Sequence, residues 1–354
     1  MQQYIQKSTK ARLPLLSQLN PPATPFISLG DTSAARAAGI STQNVALEGY
    51  RIVTRDKNLF ILGPDTPDGQ KTRLGGASNG TSNGVYTFLE DYLNIRWLMP
   101  GEMGEDVPPF VAIPSVDRTE APLFQSRRVT HLQSGPEVAA YERRHKAGFS
   151  LLSRHNHNWS VIKPELYETH PEWFAARADG TRIPPDHPRY KIETTNQEMV
   201  KYFANEIMKA FRADPNLYMF SMSPHDGSSD VGAEWSKSPE TLALMEKDPL
   251  GRDSHTKLVL KFYNDIAKIV GKEFPDRKVS GYVYSTYLYP PKDGVGKLEP
   301  SLFLTIAMSP SYAYRGYRPD VKAQWESLMA AWAAETDQIS IMIFQPGSAI
   351  TARR

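Results

Sequence analysis

Three short stretches of the chain concentrate side chains able to bind or transform a polar substrate. Arg154-His155-Asn156-His157-Asn158-Trp159 sets imidazole, amide and indole groups close together. His225-Asp226-Gly227 follows the apolar run Leu217–Met222, so a carboxyl group stands at a strand end beside an imidazole. Tyr282, Tyr284 and Tyr287 close another apolar run, and Tyr312, Tyr314 and Tyr317 follow a third. Tyrosine and tryptophan offer flat faces on which sugar rings stack while a polar edge hydrogen-bonds. The pattern suits an oligosaccharide better than a phosphate or a nucleotide. No GxGxxG follows a strand and no Walker A run is present, so a dinucleotide or nucleoside triphosphate lacks its cradle.

Asp226 is the leading catalytic candidate, with His225 beside it. A carboxyl at the end of an apolar strand can have its pKa raised by burial or lowered by neighbours, and either suits acid–base work on a glycosidic oxygen. The plainer alternative is a turn cap, with Gly227 permitting the tight backbone. His155 and His157 alternate on an extended segment and read as substrate-binding; a metal site with Asp226 is the competing reading, though no motif supplies further ligands. No cofactor is expected. Trp159 and Trp173 are platform or core. Of Arg127 and Arg128, one is expected in a structural ion pair and Arg128 is assigned to substrate. Glu193, Asp230 and Glu234 read as solvated loop acids, one of which could partner Asp226.

The elements that position these groups follow from the apolar pattern. Gln2–Thr9 reads as a helix, Pro25–Leu29 as a short strand, and Gly49–Thr54 with Asn58–Gly63 as a hairpin across Asp56-Lys57. Gly75–Gly84 reads as a flexible loop before a helix over Val85–Leu93, and Ile95–Pro100 as a closing strand. Residues 1–118 are therefore expected to form a small α/β domain, with residues 108–117 as an extended linker. Strand and helix then alternate. The strands are expected at Ser126–His131, Phe149–Ser153, Leu217–Met222, Lys278–Tyr284, Leu302–Ala307 and Ile339–Phe344. The helices are expected at Glu137–Ala147, Glu198–Arg212 capped by Asn196, His255–Phe274 and Val321–Glu335. Residues 119–354 are expected to form a (β/α)8-type TIM barrel, with its chemistry on loops after the C-terminal strand ends.

Composition narrows the partners. In 354 residues, 41 Lys+Arg face 39 Asp+Glu, so the chain lacks the basic excess that nucleic acid or anionic lipid requires. The chain has no cysteine, which excludes disulfide scaffolds, thiolate nucleophiles and Cys-ligated metals. No stretch approaches the ~20 apolar residues of a membrane span. Met1–Lys7 shows no signal peptide. Only ten residues follow Phe344, and a barrel alone takes ~250 residues, so the chain reads as truncated or as a barrel closed incompletely. The sequence leaves oligomeric state and localisation open.

Gly84-Val-Tyr-x-Phe-Leu-Glu90, Ile95-Arg-Trp97 and Pro100-Gly-Glu102 resemble the N-terminal α/β domain that precedes the barrels of α-glucuronidases and β-hexosaminidases. His157-x-Trp159, His170-Pro-Glu-Trp-Phe174, Asp179-Gly180, Thr195-Asn196 and Ser221-x-Ser-Pro-x-Asp-Gly227 resemble the bacterial barrel family labelled domain of unknown function 4838. The resemblance implies a secreted or periplasmic glycoside hydrolase with a retaining, substrate-assisted mechanism. Some members of that family are assigned as endo-β-N-acetylglucosaminidases. In that mechanism the substrate's acetamido oxygen is the nucleophile, one carboxylate orients it, and a second acts as general acid/base. Asp226 matches one of these positions. His225 and Gly227 flank it, so no second acid adjoins, and Ser228–Trp235 replaces a cysteine-rich loop. Arg128, His155, His157, Trp159, Asn196, Tyr282 and Tyr284 are expected to bind the glycan in the barrel cleft. A non-catalytic glycan-binding protein is the alternative.

Overall fold

The structure, a computed structural model, describes residues 1–17, 22–109, 112–127, 135–293, 296–308 and 318–343. The chain is mixed α/β and divides into two units, Met1–Leu152 and Ser153–Arg354.

In the first unit the order is α1 (Gln2–Thr9), β1 (Ile27–Leu29), α2 (Ser33–Ala37), β2 (Tyr50–Arg55), β3 (Asn58–Leu62), α3 (Gly80–Tyr92), β4 (Arg96–Trp97), β5 (Glu105–Asp106), β6 (Asp117–Glu120), β7 (Ser126–Arg127), α4 (Pro136–Arg144) and β8 (Gly148–Phe149). The main sheet runs β1-β3-β2-β6. Its hairpin is the expected one: Asp56 and Lys57 both adopt left-handed backbone (φ 49° and 64°), the geometry that matches strand twist in a two-residue turn.

The loop expected over Gly75–Gly84 is shorter than read, because the helix already begins at Gly80. Gly63 and Gly80 are there for close approach. A Cβ at Gly80 would lie 2.2 Å from the Gly49 carbonyl oxygen, and one at Gly63 would lie 2.3 Å from the same atom. The closing strand is also shorter than expected: only Arg96 and Trp97 pair, and with β5 instead of the main sheet.

The second unit contains α5 (Gln197–Ala213), β9 (Met219–Ser221), α6 (Pro239–Leu242), β10 (Glu246–Lys247), β11 (Asp253–Ser254), α7 (Thr256–Glu273), β12 (Lys278–Val283), β13 (Leu302–Met308), α8 (Pro319–Glu335) and β14 (Ile339–Ile343). Strands β9, β12, β13 and β14 lie side by side in that order, all parallel. The expected alternation of strand and helix is present here, but the described residues form an open four-stranded sheet, not a closed barrel.

The two strands expected first, Ser126–His131 and Phe149–Ser153, do not join this sheet: among the described residues only Ser126–Arg127 and Gly148–Phe149 are strand there. Ser126 and Arg127, expected to start the barrel, pair antiparallel with β8 in the first unit. Between Trp159 and Trp173 the chain makes 3₁₀ turns, at Trp159–Val161, Pro164–Glu168 and Pro171–Trp173, where Pro164 and Pro171 lock φ and remove donors.

The two faces of this sheet differ. Val279, Val283, Leu302, Leu304 and Ile306 join the buried faces of α5 and α7 in one apolar core. Met199, Phe203, Ile207 and Phe211 of α5 are all fully buried there, as their spacing requires. The opposite face is hydroxylated. Ser221 donates to the Asn156 carbonyl (2.6 Å), Ser280 to that of Arg154 (2.6 Å), and Thr305 bonds both His155 Nδ1 (2.6 Å) and Ser340 (2.8 Å).

The segment 154–158 runs parallel to the end of β9 through a His157–Ser223 bridge. In a flat sheet it would stand three strand spacings, about 14 Å, from β13. Its bond to Thr305 shows that it leans across the hydroxyl face instead. That lean delivers residues 154–158 to the site.

Gly281 lets α7 approach β12: a Cβ there would fall 2.1 Å from the Tyr263 ring. Gly281→Ala is expected to cost about 1–3 kcal/mol, the range for overpacked cores, in urea unfolding. An unchanged midpoint would show that Tyr263 has room to move.

Candidate functional site

The loop after β9 carries Asp226 outward while its neighbour His225 turns inward. Gly227 makes this possible with φ +68°. Asp226 is exposed and its Oδ1 accepts from the Gly227 N–H (2.9 Å) and from the Tyr284 hydroxyl. Among the described residues its Oδ2 accepts no hydrogen bond. The Tyr284 hydroxyl, above all, holds the Asp226 carboxyl below its ordinary range; burial opposes this, and the His157 imidazole, the Gly227 N–H and Arg189 reinforce it. Asp226 is therefore an ionised acceptor near neutral pH, not a proton donor. Burial, then the Asp226 carboxylate, pushes the Tyr284 phenol up, so it remains a donor.

Around this carboxylate the structure assembles several of the expected residues. The His157 imidazole N–H donates to the Pro224 carbonyl, and its ring lies 5.3 Å from that of Tyr282 and 6.1 Å from that of Tyr284. The Tyr282 and Tyr284 rings meet edge to face at 5.9 Å, and Tyr284 meets Tyr287 at 5.1 Å. The Tyr282 hydroxyl donates to the His155 carbonyl at 2.9 Å, tying the leaning segment to β12. His155 itself points to Thr305. Among the described residues no group of three acids or imidazoles is arranged to hold a metal, so His155, His157 and Asp226 do not converge on one.

Other expected residues stand elsewhere. Trp159 is fully buried, its Nε1 bonded to the Met222 carbonyl (3.1 Å) and its ring enclosed by Trp235 and Phe262. It is core, with no face left for a sugar. Trp173 is likewise buried and stacks on His170 at 4.1 Å. Asn196 caps α5, its Oδ1 accepting from the N–H groups of Glu198 and Met199, both at 3.0 Å. That commitment ties its Oδ1 to the helix N-terminus.

His225 is not positioned as a proton shuttle in the cleft. It is buried, its Nδ1–H donates to the Tyr190 carbonyl (3.0 Å), and burial lowers its pKa to about 4. Glu193 is buried, not solvated, inside a ring of hydroxyl donors. Asp230 is paired with Arg189 and faces His187, and Glu234 accepts from the Gly232 N–H at 2.7 Å. In the first unit Arg127 makes the structural ion pair, bidentate to buried Glu48 at 2.9 and 3.1 Å. Arg128, Tyr312, Tyr314 and Tyr317 lie outside the described residues.

Sequence reading missed two buried groups that meet at Trp235. Lys191 is 2% exposed, with its Nζ donating to the carbonyls of Arg189, His225 and Gly227 and lying 5.7 Å from the Trp235 ring centre. His255 stacks on Trp235 at 4.5 Å, and burial lowers its pKa to about 4. Both sit in ordinary-looking charged or capping contexts, and only the fold gathers them around Trp235.

His225 and His255 give a pH prediction. Both pKa values fall from 6.5 to about 4 on folding, so the unfolded chain binds more protons between these limits. Their stabilising contribution is present above pH 6.5 and is lost as pH falls through about 4. Proton NMR of the histidine ring signals should show two rings still neutral at pH 5, with melting temperature falling across the same window. Ordinary titration of all eight histidines would contradict the burial of these two.

Residues 99–344 match the family described as Domain of unknown function (DUF4838), and the chain belongs to that family. No curated protein matches the chain. Among solved structures, the crystal structure of beta-N-acetylhexosaminidase from Bacteroides fragilis NCTC 9343 is similar at 11% identity with a TM-score of 0.36. The alignment covers 94% of this chain and 66% of that one, so the chain spans just under two thirds of that protein's length. No helix among the described residues is long and apolar enough to cross a membrane.

Proposed function

We propose that the second unit binds an N-acetylated glycan and hydrolyses it by a retaining, substrate-assisted route, with Asp226 as the carboxylate that orients the acetamido group. The observation that carries this reading is the state of Asp226. It is exposed, ionised and fixed through Oδ1, leaving Oδ2 to accept an N–H from a ligand. An acetamido N–H presents that donor, and charge developing on its nitrogen as the acetamido oxygen attacks the anomeric carbon is stabilised by a fixed anion. A general acid needs the opposite, a raised pKa. His157 and Tyr284 supply accessible rings for sugar faces beside the carboxylate, backed by the buried Tyr282. The motif resemblance supports the same class, and the parallel β/α order of β9 to β14 is what a partial glycosidase barrel would show.

A second reading, glycan binding without cleavage, is favoured by one observation. Neither residue flanking Asp226 is an acid, and nearby Asp230 is already paired with Arg189. Incubating the protein with oligosaccharides containing N-acetylglucosamine, followed by mass spectrometry of products and NMR of the anomeric proton, separates the two. Cleavage with retained configuration supports hydrolysis; binding without products supports the second reading; neither one overturns both.

A further inference from the structure

Lys191 is the buried charge that the hydrolytic reading leaves without a task. An ammonium carries three N–H donors, and all three are committed to main-chain carbonyls: His225 at 2.8 Å, Arg189 at 3.1 Å, and Gly227. Two of those carbonyls bracket Asp226 in the chain. The grip is reciprocal, since the His225 imidazole N–H reaches back to the Tyr190 carbonyl at 3.0 Å. Residues 189–191 and 225–227 are thus laced together by two side chains, each from one strip onto the backbone of the other. Gly227 closes the arrangement: a Cβ there would meet Arg189 Nη1 at 2.9 Å.

We infer that Lys191 is the positioning residue of the site, fixing the direction of the Asp226 carboxylate by holding the peptide oxygens on both sides of it. Lys191 touches no substrate in this role. It aims Oδ1 at the Tyr284 hydroxyl and the Gly227 N–H, and so presents Oδ2. Burying an ammonium is costly unless it is fully hydrogen-bonded, which makes a grip of this kind hard to replace with a neutral side chain. The charges around it are mixed. Asp226 and Asp230 favour the ammonium, Arg189 opposes it, and His225 and His255 are neutral neighbours; burial dominates and lowers the Lys191 pKa to about 8. Above that pH the neutral amine keeps one N–H too few for its three carbonyls.

The functional part of this inference rests on the reading of Asp226 given above; the geometric part does not. The test is therefore a titration of the Asp226 carboxyl carbon by ¹³C NMR, in the native chain and in Lys191→Met and Lys191→Arg, with circular dichroism to establish folding. Lys191→Met is expected to fold, with the Asp226 pKa rising toward the ordinary ~3.9 as the Tyr284 contact loosens. Turnover on a cleaved glycan is expected to fall ~100-fold, mostly in kcat, the scale of a misplaced reacting group. Lys191→Arg is expected to recover part of both. Should Lys191→Met not fold, the native chain still answers. The Tyr284 ring and Asp226 carboxyl signals should shift together as pH rises through about 8.

A folded Lys191→Met with an unchanged Asp226 titration overturns the inference, and so does a native chain showing no transition there. If no glycan is ever cleaved yet the titration moves, the hydrolytic reading fails and the positioning role stands.

Discussion

Asp226→Asn is expected to reduce glycan hydrolysis by roughly 10²–10³-fold, the usual effect of removing one preorganised electrostatic group from a transition state. The melting temperature should not change. Asp226 is exposed, and an amide oxygen can still accept from the Gly227 N–H and the Tyr284 hydroxyl that hold Oδ1 now. What disappears is the negative charge and, with the amide oxygen held in the Oδ1 position, the acceptor at Oδ2, which becomes an NH2 donor. Because the interaction strengthens as the acetamido nitrogen becomes positive, the loss should fall on kcat, with KM changing by less than tenfold.

Tyr284→Phe provides the graded comparison. It removes the largest influence depressing the Asp226 pKa but leaves the charge, so the carboxyl should titrate higher and turnover should fall less than in Asp226→Asn. Steady-state kinetics on any glycan cleaved by the native chain checks both. Full activity in Asp226→Asn would remove Asp226 from the mechanism.

How much of this was readable beforehand depends on how local the cause is. Amphipathic periodicity gave α5 and α7 almost to the residue, since Met199, Phe203, Ile207 and Phe211 must share one buried face. The Asp56-Lys57 turn and the Asn196 cap are equally local, each decided by backbone within four residues. Failures arose where distant backbone decides. Gly80 looks flexible in isolation, but its lack of Cβ is required by the Gly49 carbonyl. Trp159 stands in a polar run that suggests exposure, yet Trp235 and Phe262, far along the chain, enclose it.

The site divides the same way. Asp226 and Tyr284 were visible because they follow the ends of β9 and β12, whereas Tyr282 lies inside β12 and is buried. Lys191 was not visible, because nothing near Arg189-Tyr190-Lys191 announces a buried ammonium. Its burial exists only once the loop at residues 225–227 folds over it.

Glu193 carries the largest expected stability effect and bears on the second carboxylate that a hydrolytic mechanism needs. It is 4% exposed, and both oxygens are occupied: Oε1 accepts from Thr195 (2.7 Å) and Thr241 (2.9 Å), Oε2 from Ser236 (2.5 Å) and, more weakly, Arg182 (3.4 Å). These donors come from before α5 and from the Ser236–Thr241 stretch leading into α6, so one carboxylate ties together separate loops. Glu193→Ala would strand a set of buried hydroxyls and part of a guanidinium charge. Breaking a buried network of this kind costs about 3–5 kcal/mol, and Arg182's partial exposure puts the expectation near ~3. At ~2–4 °C per kcal/mol for a unit of this size, the melting temperature should drop by about 10 °C.

Glu193→Gln discriminates structure from chemistry. The hydroxyls can rotate to meet an amide, so stability should fall by only ~1 kcal/mol, and turnover should stay within a few-fold of native. If Glu193→Gln instead folds normally and is inactive, Glu193 is the missing general acid, reached by a rearrangement that opens this hydroxyl ring. If both variants behave as expected, Asp230, once released from Arg189, is the next candidate for the acid, since residues 309–317 and 344–354 contain no Asp or Glu.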